Sequence, residues 1–192
     1  MKKFIRLYAI LLATLYSCND PFEGTTFQVY DIHPISIYLR SHPEDFSEWV
    51  EFLKYAHLYN AINQATEDFT VFAPNNEAVQ DFYRKKNVSS VEDLGKEYAR
   101  DLAKFHIIPD TIDYNTCIEG GRLESKTLSD DYLSVEYGTS GGKESIYING
   151  EARVAKAAIE VANGFVYMLE GVLTPLLQSV YERIGESAAS YT

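Results

Sequence analysis

The chain has 192 residues, of which 28 are acidic and 17 are basic, and its formal net charge at pH 7 is −11. A strongly acidic protein is repelled by nucleic acid backbones and by anionic lipid surfaces, so the charge argues against both as partners. Hydrophobic residues make up 46% of the chain and include 15 tyrosines and 10 phenylalanines, which suits one domain of ordinary size that is rich in β-strands.

The first 17 residues have the layout of a secretory signal. Lys2, Lys3 and Arg6 form a basic start, residues 4–15 are almost wholly apolar, and no acidic residue occurs before Asp20. A transmembrane helix needs about 20 apolar residues to cross the hydrocarbon core, and this run is shorter. The sequence therefore predicts an exported protein.

A cysteine stands where the apolar run ends. Leu15, Tyr16, Ser17 and Cys18 resemble the lipobox of bacterial lipoproteins, in which a small residue precedes the cysteine that accepts a diacylglycerol. Tyr16 departs from that motif, which usually has a small residue there. The resemblance implies a lipid on Cys18, an anchor in the outer membrane on its periplasmic or cell-surface side, and a tether over residues 18–26. The alternative is an ordinary signal with a coincidental cysteine.

The first part of the folded region is predicted to contain a helix and then a strand. The region begins near Phe27, and apolar residues recur at helical spacing over residues 44–59, with Pro43 in the first turn. Residues 69–73 form an apolar, β-prone run that Pro74 stops.

Two further helices are predicted next. Asn75 is a natural N-cap for a helix that begins at Asn76. Residues 89–92 fit a capping box, in which two side chains satisfy the free N–H groups at a helix start. Residues 98–106 again repeat apolar positions at helical spacing, which predicts a helix that faces the core. The first of these helices is predicted to have one apolar face, formed by Ala78, Val79, Phe82 and Tyr83.

The second half of the chain is predicted to be antiparallel. Residues 123–137 alternate around a turn and indicate a hairpin, and residues 138–145 indicate a flexible loop. Residues 146–148 form a strand that ends in a tight Asn-Gly turn. A second such turn is predicted at residues 163–164. The strands that flank it are predicted at residues 153–162 and 165–169. Helices early and antiparallel strands late indicate an α+β domain.

Two segments resemble the motifs of the fasciclin domain family. Residues 69–79, from Phe69 to Val79, read FTVFAPNNEAV and resemble its first motif, usually written TVFAPTNEAF. Residues 163–175 read NGFVYMLEGVLTP and resemble its second, NGVVHVIDGVLLP. Phe105 and His106 occupy the slot of the family's Tyr-His motif. The resemblance spans roughly residues 27–175, and the residues that it singles out in the two motifs are Thr70, Phe72, Pro74, Asn76, Glu77, Asn163, Gly164 and Pro175.

The resemblance implies both a fold and a class of function. The family has a compact wedge of two small antiparallel or mixed β-sheets, with a cluster of helices at one side. Its members serve in adhesion or extracellular binding and have no general enzymatic activity. The resemblance therefore implies a binding module that needs no cofactor, although function does not follow from fold alone.

Three positions depart from the family pattern. Phe105 replaces the tyrosine of the Tyr-His motif, and Tyr167 stands where the second motif usually has a histidine. Some animal members carry an integrin-binding Asp-Ile pair just before the second motif, where this chain has Ala158 and Ile159. Because the acidic residue is missing, integrin binding is not carried over. Together with Phe105 and His106, Ile159 forms a candidate binding or structural motif.

The sequence contains no convergent set of catalytic or metal-binding residues. It has no G-x-S-x-G segment, and Cys117 has no histidine near it in sequence, so burial is the predicted role of that thiol. The four histidines form no H-x-H or H-x-x-x-H pair, which leaves zinc unsupported. His106 is predicted to be buried and hydrogen-bonded to the backbone, with a functional role as the alternative.

The leading hypothesis is a membrane-anchored extracytoplasmic module for binding or adhesion, with an extracellular protein or glycan as its unknown partner. The alternative is an accessory lipoprotein of an outer-membrane nutrient importer that captures a glycan. Tyr132, Tyr137 and Tyr147 favour it because tyrosine rings can stack on sugars, although cross-strand packing accounts for such residues equally well. An enzyme is the least supported class.

The resemblance ends at Pro175, and the remaining residues are amphipathic. This tail is predicted to be the start of a truncated second fasciclin domain, with a terminal helix packed on the first domain as the alternative. The residues at helical spacing are Leu176, Leu177, Val180, Tyr181 and Ile184.

Overall fold

The computed structural model describes residues 33–64 and 66–175. The predicted signal, the lipid site at Cys18, the tether and the amphipathic tail at 176–192 all lie outside the described residues, so each of these stays a prediction. Within the described part of the chain, no helix is both long enough and apolar enough to cross a membrane.

Five α-helices occur in the described residues, together with short 3-10 helices at Ala61–Asn63 and Glu92–Leu94. The helix predicted over residues 44–59 ends earlier, at Tyr55, because the chain reverses direction at His57, whose φ is +58°. The α-helices are α1 (Ile35–Ser41), α2 (Pro43–Tyr55), α3 (Asn76–Lys86), α4 (Lys96–Phe105) and α5 (Tyr114–Glu119).

The same residues contain seven strands: β1 (Phe69–Pro74), β2 (Ile107–Ile108), β3 (Gly121–Arg122), β4 (Ser134–Ser140), β5 (Lys143–Ile148), β6 (Ala152–Val161) and β7 (Gly164–Leu169). They form one sheet in the order β2-β1-β7-β6-β5-β4-β3. β1 and β7 pair in parallel, and all other neighbours pair antiparallel. The predicted α+β class with a mixed sheet is confirmed.

β6 joins two halves of this sheet. It pairs with β7 between Val154 and Val161, whereas it pairs with β5 only at Ala152 and Arg153. The halves β2-β1-β7-β6 and β6-β5-β4-β3 correspond to the two small sheets that the family resemblance implies. They share β6 as a common strand.

The central parallel pair is buried on both faces, which explains why its sequences are continuously apolar. Side chains alternate between the faces with a period of two residues. The face that packs on α1 to α4 carries Phe69, Val71, Ala73, Val166 and Met168. The opposite face packs on α5 and on β4 to β6, and it carries Phe72, Tyr167 and Leu169. We call these the helical core and the second core.

The helix starts were predicted with mixed success. Asn75 is the N-cap of α3, as predicted, and its side chain accepts a hydrogen bond from the Ala78 N–H at 2.8 Å. The capping box at residues 89–92 is wrong. The Asp93 carboxylate instead accepts from the N–H groups of Ser89 and Ser90, at 2.9 and 3.2 Å. One carboxylate therefore fixes this turn from its C-terminal side.

The second half differs from the prediction in the lengths of its strands. Residues 138–145 do not form a flexible loop, because β4 and β5 extend through them and meet in a two-residue turn at Gly141 and Gly142. The hairpin predicted over 123–137 is wrong in its first strand, because residues 123–133 contain no strand and β4 pairs instead with Gly121–Arg122, just before the predicted range. The intervening segment is irregular, and Leu123 and Leu133 at its two ends are buried in the second core, where the Leu123 N–H donates to the Leu133 carbonyl at 2.9 Å.

A β-bulge distorts β6 opposite β7. The register shifts between Val154 and Lys156 and again between Lys156 and Ile159, and Ala158 has a φ of +48°. A residue with a Cβ is strained in this left-handed region by about 1–2 kcal/mol. The bulge leaves fewer regular pairs in the middle of β6 and increases its local twist.

We predict that Ala158→Gly raises the free energy of unfolding by about 0.5–1 kcal/mol, because glycine relieves the left-handed strain at the expense of one half-buried methyl group. Urea unfolding followed by circular dichroism measures the change. The matched control is Ala157→Gly in the same strand, where φ is not positive and glycine should lower stability. Equal losses in both variants would contradict the assignment of strain to Ala158.

Candidate functional site

The first motif holds a loop and two helices in place. The Thr70 hydroxyl donates to the Asp110 carbonyl and accepts from the Ile112 N–H, both at 2.8 Å, so it ties the loop after β2 to β1. Phe72 is buried in the second core, and Pro74 ends β1 opposite Leu169. These side chains face the interior.

Both ends of the first motif belong to the helical core. Phe69 begins β1 and is 4% exposed, and Val79 lies on α3 and is fully buried. The apolar face predicted for α3 is confirmed, since all four of its residues are buried. The region from Phe69 to Val79 therefore anchors a strand and the following helix on one core, which is a structural role.

Asn76 connects the start of α3 to the start of α2. Its Oδ1 accepts from the Glu48 N–H at 2.9 Å, and its Nδ2 donates to the Pro43 and Glu44 carbonyls at 2.9 and 3.0 Å. Glu77 is exposed in the first turn of α3, where its carboxylate complements the helix dipole. Each of these residues thus has a contact or position that supports the fold.

The second motif begins with an asparagine that joins three segments. Asn163 is 2% exposed, and its Oδ1 accepts from the Ile35 N–H at the start of α1, at 2.9 Å. Its Nδ2 donates to the carbonyls of Ile62 and Gln64, at 2.9 and 3.3 Å. Gly164 follows and lies directly against Phe69 on β1. At the other end of the motif, Pro175 is half-buried.

His106 connects the Tyr-His slot to the second motif. It is fully buried, its Nε2 accepts from the Leu173 N–H at 3.0 Å, and its Nδ1 lies 2.9 Å from the Leu102 carbonyl. Because Leu173 is a donor, the proton resides on Nδ1, which donates to Leu102. Burial lowers the pKa of His106 from 6.5 to about 4, so the ring is neutral at physiological pH. Trp49 packs against it with ring centroids 4.8 Å apart.

The remaining residues of the predicted motifs are also in or near the interior. Phe105 is buried in the second core, and Ile159 is half-buried on β6, where it pairs with Val166. Tyr167 is fully buried, and its hydroxyl donates to the Ile112 carbonyl at 2.9 Å. Cys117 is buried as predicted, and burial raises the pKa of its thiol.

An open groove lies elsewhere, where β5 and β6 separate. Its volume is about 540 Å³, and its walls include Tyr114 and Ile118 of α5 and Tyr137 of β4. These three side chains are 49%, 38% and 58% exposed, and only one other large hydrophobic residue in the described part of the chain, Tyr132, is exposed. Exposed apolar side chains that gather in one place mark interaction sites.

The polar groups of this groove carry one uncompensated charge. Arg153 forms a two-pronged ion pair with Glu170, which neutralises its guanidinium. Glu144 lines the groove, and the described residues provide no partner for its carboxylate. The Tyr137 hydroxyl donates to the Ile118 carbonyl and thereby connects the sheet to α5. The groove is thus aromatic, preformed and weakly acidic.

A larger cleft, of about 630 Å³, lies between α3 and the end of β7, but it is less suited to a ligand. Its apolar residues Ala78, Phe82 and Val172 are already buried, and its rim is formed by charged side chains. We therefore take the β5–β6 groove as the candidate functional site. No cluster of three potential metal ligands occurs among the residues that the structure describes.

The sequence pointed to only part of the groove. Tyr137 was among the tyrosines considered for sugar stacking, but Tyr132 and Tyr147 do not line the groove. Tyr114 and Ile118 were missed, although they are four residues apart on a short helix whose buried face carries Cys117. That spacing places both side chains on one exposed face of the helix. It is the feature of the sequence that indicates them as groove residues.

The chain resembles several animal proteins over part of their length. It is 32% identical to periostin of Homo sapiens over 125 residues, which cover 65% of this chain and 14% of that protein. It is 32% identical to stabilin-1 of Mus musculus over 108 residues, which cover 56% of this chain and 4% of the relative. Stabilin-2 of Rattus norvegicus is 25% identical over 129 residues, or 67% of this chain and 8% of that protein. The chain therefore spans only a small part of these relatives.

A solved structure shares the fold. It is a FAS1 domain pair from the insect cell adhesion molecule fasciclin I, with a TM-score of 0.60 and 16% identity, and the similarity covers 74% of this chain and 51% of that one. The fasciclin domain model matches residues 44–175, which is well over half of the sequence. The fold and this match together show that the chain belongs to the fasciclin domain family.

Proposed function

We propose that this protein is an exported, non-catalytic binding module that is anchored to the outer membrane through a lipid on Cys18 and contributes to adhesion. Membership of the fasciclin family carries the proposal, since the insect relative of known structure is named a cell adhesion molecule. Burial of two side chains of chemically reactive types supports a non-catalytic role. His106 and Cys117 are fully buried and have no access to a substrate.

The anchor is tested by the variant Cys18→Ser. We expect the wild-type chain in the membrane fraction and the variant in the soluble fraction, because each buried CH₂ of a lipid contributes about 0.8 kcal/mol to membrane binding. Cell fractionation with immunoblotting measures the distribution, and mass spectrometry detects the lipid. Cys117→Ser is the matched control and should stay with the membrane. A Cys18→Ser chain that remains in the membrane fraction would refute the anchor.

Adhesion is tested on cells that display the full chain on an otherwise non-adherent host. We expect more of these cells than of host cells alone to stay on immobilised matrix proteins or on partner cells under flow. Cells that carry the Cys18→Ser chain should behave like the host, because the released protein no longer links the two surfaces. Equal retention of all three strains would count against an adhesive role.

The alternative function is glycan capture for an outer-membrane nutrient importer. The two exposed rings in the groove, Tyr114 and Tyr137, support it because an aromatic face is a suitable platform for a sugar ring. A glycan array probed with the full chain tests it directly. Specific binding that Tyr137→Ala abolishes would favour this alternative, and an array without signal would count against it.

A further inference from the structure

The candidate groove is a fork between two strands of the same hairpin. β5 and β6 pair at only two positions, Ile148 with Ala152 and Tyr147 with Arg153. Continued in the same register, Ile146 would face Val154 and Ser145 would face Ala155, yet neither pair is formed. These four residues line the groove, so the groove is the space that opens where the ladder stops.

The fork has a structural cause in β6. The double register shift and the left-handed Ala158 lie in the part of β6 that pairs with β7 and not with β5, and bulges of this kind bend the strand that carries them. Lys156, which lies between the two shifts, forms an ion pair with Asp45 of α2 at 2.9 Å. The pairs that β6 forms with β7 on both sides of the bulge position it without any contribution from β5, and the exposed Lys156–Asp45 pair adds little to them.

The fork exposes a strand edge on β5. The Ile148 carbonyl accepts from the Glu151 N–H at 3.0 Å, which directs the main chain of Ile148 towards β6. Main-chain groups alternate sides along an antiparallel strand, so those of Ile146 and Glu144 also point into the fork. An edge of this kind is a template for pairing with another chain.

Apolar side chains surround that edge. Tyr114 and Ile118 of α5 and Tyr137 of β4 line the groove beside it, and the half-buried Ile146 and Ala157 line it as well. An extended segment projects alternate side chains to opposite faces, so every second residue would meet this apolar lining.

We infer that this fork binds an extended peptide segment of a partner protein, which adds a strand along β5 and carries alternating apolar residues and at least one lysine or arginine. The inference rests on the proposed function as a binding module and names its ligand class. The basic residue follows from charge complementarity, since Glu144 is the uncompensated charge of the groove and the chain has a net charge of −11. Main-chain hydrogen bonds supply affinity in this mode of recognition, and alternate side chains supply specificity.

The first experiment pans a random linear peptide display library against the full-length chain in detergent. We expect enrichment of peptides with alternating apolar residues and a basic residue, and at least a tenfold weaker dissociation constant for Glu144→Lys. Tyr137→Ala should also weaken binding. The matched controls are Glu97→Lys on α4 and the exposed Tyr132→Ala, which lie outside the groove and should bind like the wild type. Binding that the controls lose as much as the groove variants would overturn the inference.

The second experiment tests strand addition itself. The best enriched peptide is synthesised with N-methyl groups at alternate residues, in two registers. Methylation in the register that faces β5 should abolish binding, because it removes the donors of the main-chain ladder, whereas the other register should bind within about threefold of the parent. Equal effects in both registers would overturn strand addition.

The remaining outcomes separate this inference from the proposed function. If no peptide is enriched while a glycan array gives binding that Tyr137→Ala abolishes, the peptide inference is wrong and the binding module stands. If neither probe binds, the peptide inference is wrong as well, and the adhesion of displaying cells decides the proposed function independently.

Discussion

Gly164→Ala is expected to lower the free energy of unfolding by about 4 kcal/mol or more, which is a large fraction of the about 5–15 kcal/mol that stabilises an ordinary domain. A Cβ at this position would lie 1.8 Å from the Phe69 carbonyl oxygen, and the φ of Gly164 is +126°, which L-residues rarely adopt. The obstacle is the backbone of β1, which pairs with β7 in parallel, so no side-chain rotation can relieve it. Urea unfolding of the purified variant measures the loss.

The control for this prediction is Gly142→Ala. Gly142 also has a positive φ, +77°, but a Cβ there would meet nothing within 4 Å. Alanine at Gly142 should therefore cost only about 1–2 kcal/mol, which is the backbone strain without a steric clash. Similar losses in both variants would mean that β1 moves aside at Gly164 and that the close approach is not required.

Local features of the fold could be predicted because their causes lie within a few residues. Asn75 caps α3 with an oxygen that reaches the N–H three residues on, and Asn149 and Gly150 turn the chain because both accept positive φ. The apolar run of β1 and the helical pattern of α3 depend on periodicity alone. β1, α3 and the turn at Asn149 and Gly150 lie where the sequence predicts them.

Features that depend on long-range contacts could not be predicted from the sequence. Nothing near His106 indicates that its Nε2 bonds the Leu173 N–H, 67 residues away. The capping box at residues 89–92 failed because Asp93, just outside the pattern, competes for the same N–H groups.

The groove could not be predicted from the sequence for the same reason. It lies where the pairing of β6 with β5 stops after two positions, while the pairing of β6 with β7 continues through a bulge. The sequence of β6 shows an ordinary alternating strand, with no glycine or proline to mark the bulge. Of the residues that line the groove, only Tyr137 was predicted as a possible ligand contact, since the walls of the groove come from elements that are distant in sequence.

His106 holds together three parts of the fold through one ring. The imidazole links the last turn of α4 to the end of the second motif and packs on Trp49 of α2. His106→Ala leaves the N–H of Leu173 and the carbonyl of Leu102 without their partner, and it opens a cavity beside Trp49. We expect a loss of about 3–4 kcal/mol in the free energy of unfolding. Unchanged stability together with lost ligand binding would instead indicate a functional role.

The same residue should make stability depend on pH between about 4 and 6.5. The folded pKa of His106 is about 4, below its ordinary value of 6.5, so in this window the unfolded chain binds a proton that the folded chain excludes. Acidification therefore favours unfolding, and this contribution falls by about 3 kcal/mol from pH 6.5 to pH 4, with only about 0.4 kcal/mol lost above pH 6.5.

His106→Gln isolates this contribution, because glutamine does not titrate and every other ionisable group is the same in both proteins. The measurement is the free energy of unfolding in urea at closely spaced pH values, with the variant subtracted from the wild type. The difference should shrink steadily as pH falls through the window, since only the wild type has a buried imidazole to protonate. A difference that stays constant from pH 6.5 to pH 4 would show that the imidazole is not held neutral by burial. A protonated Nε2 could not accept the hydrogen bond from the Leu173 N–H, so that contact would then need another explanation.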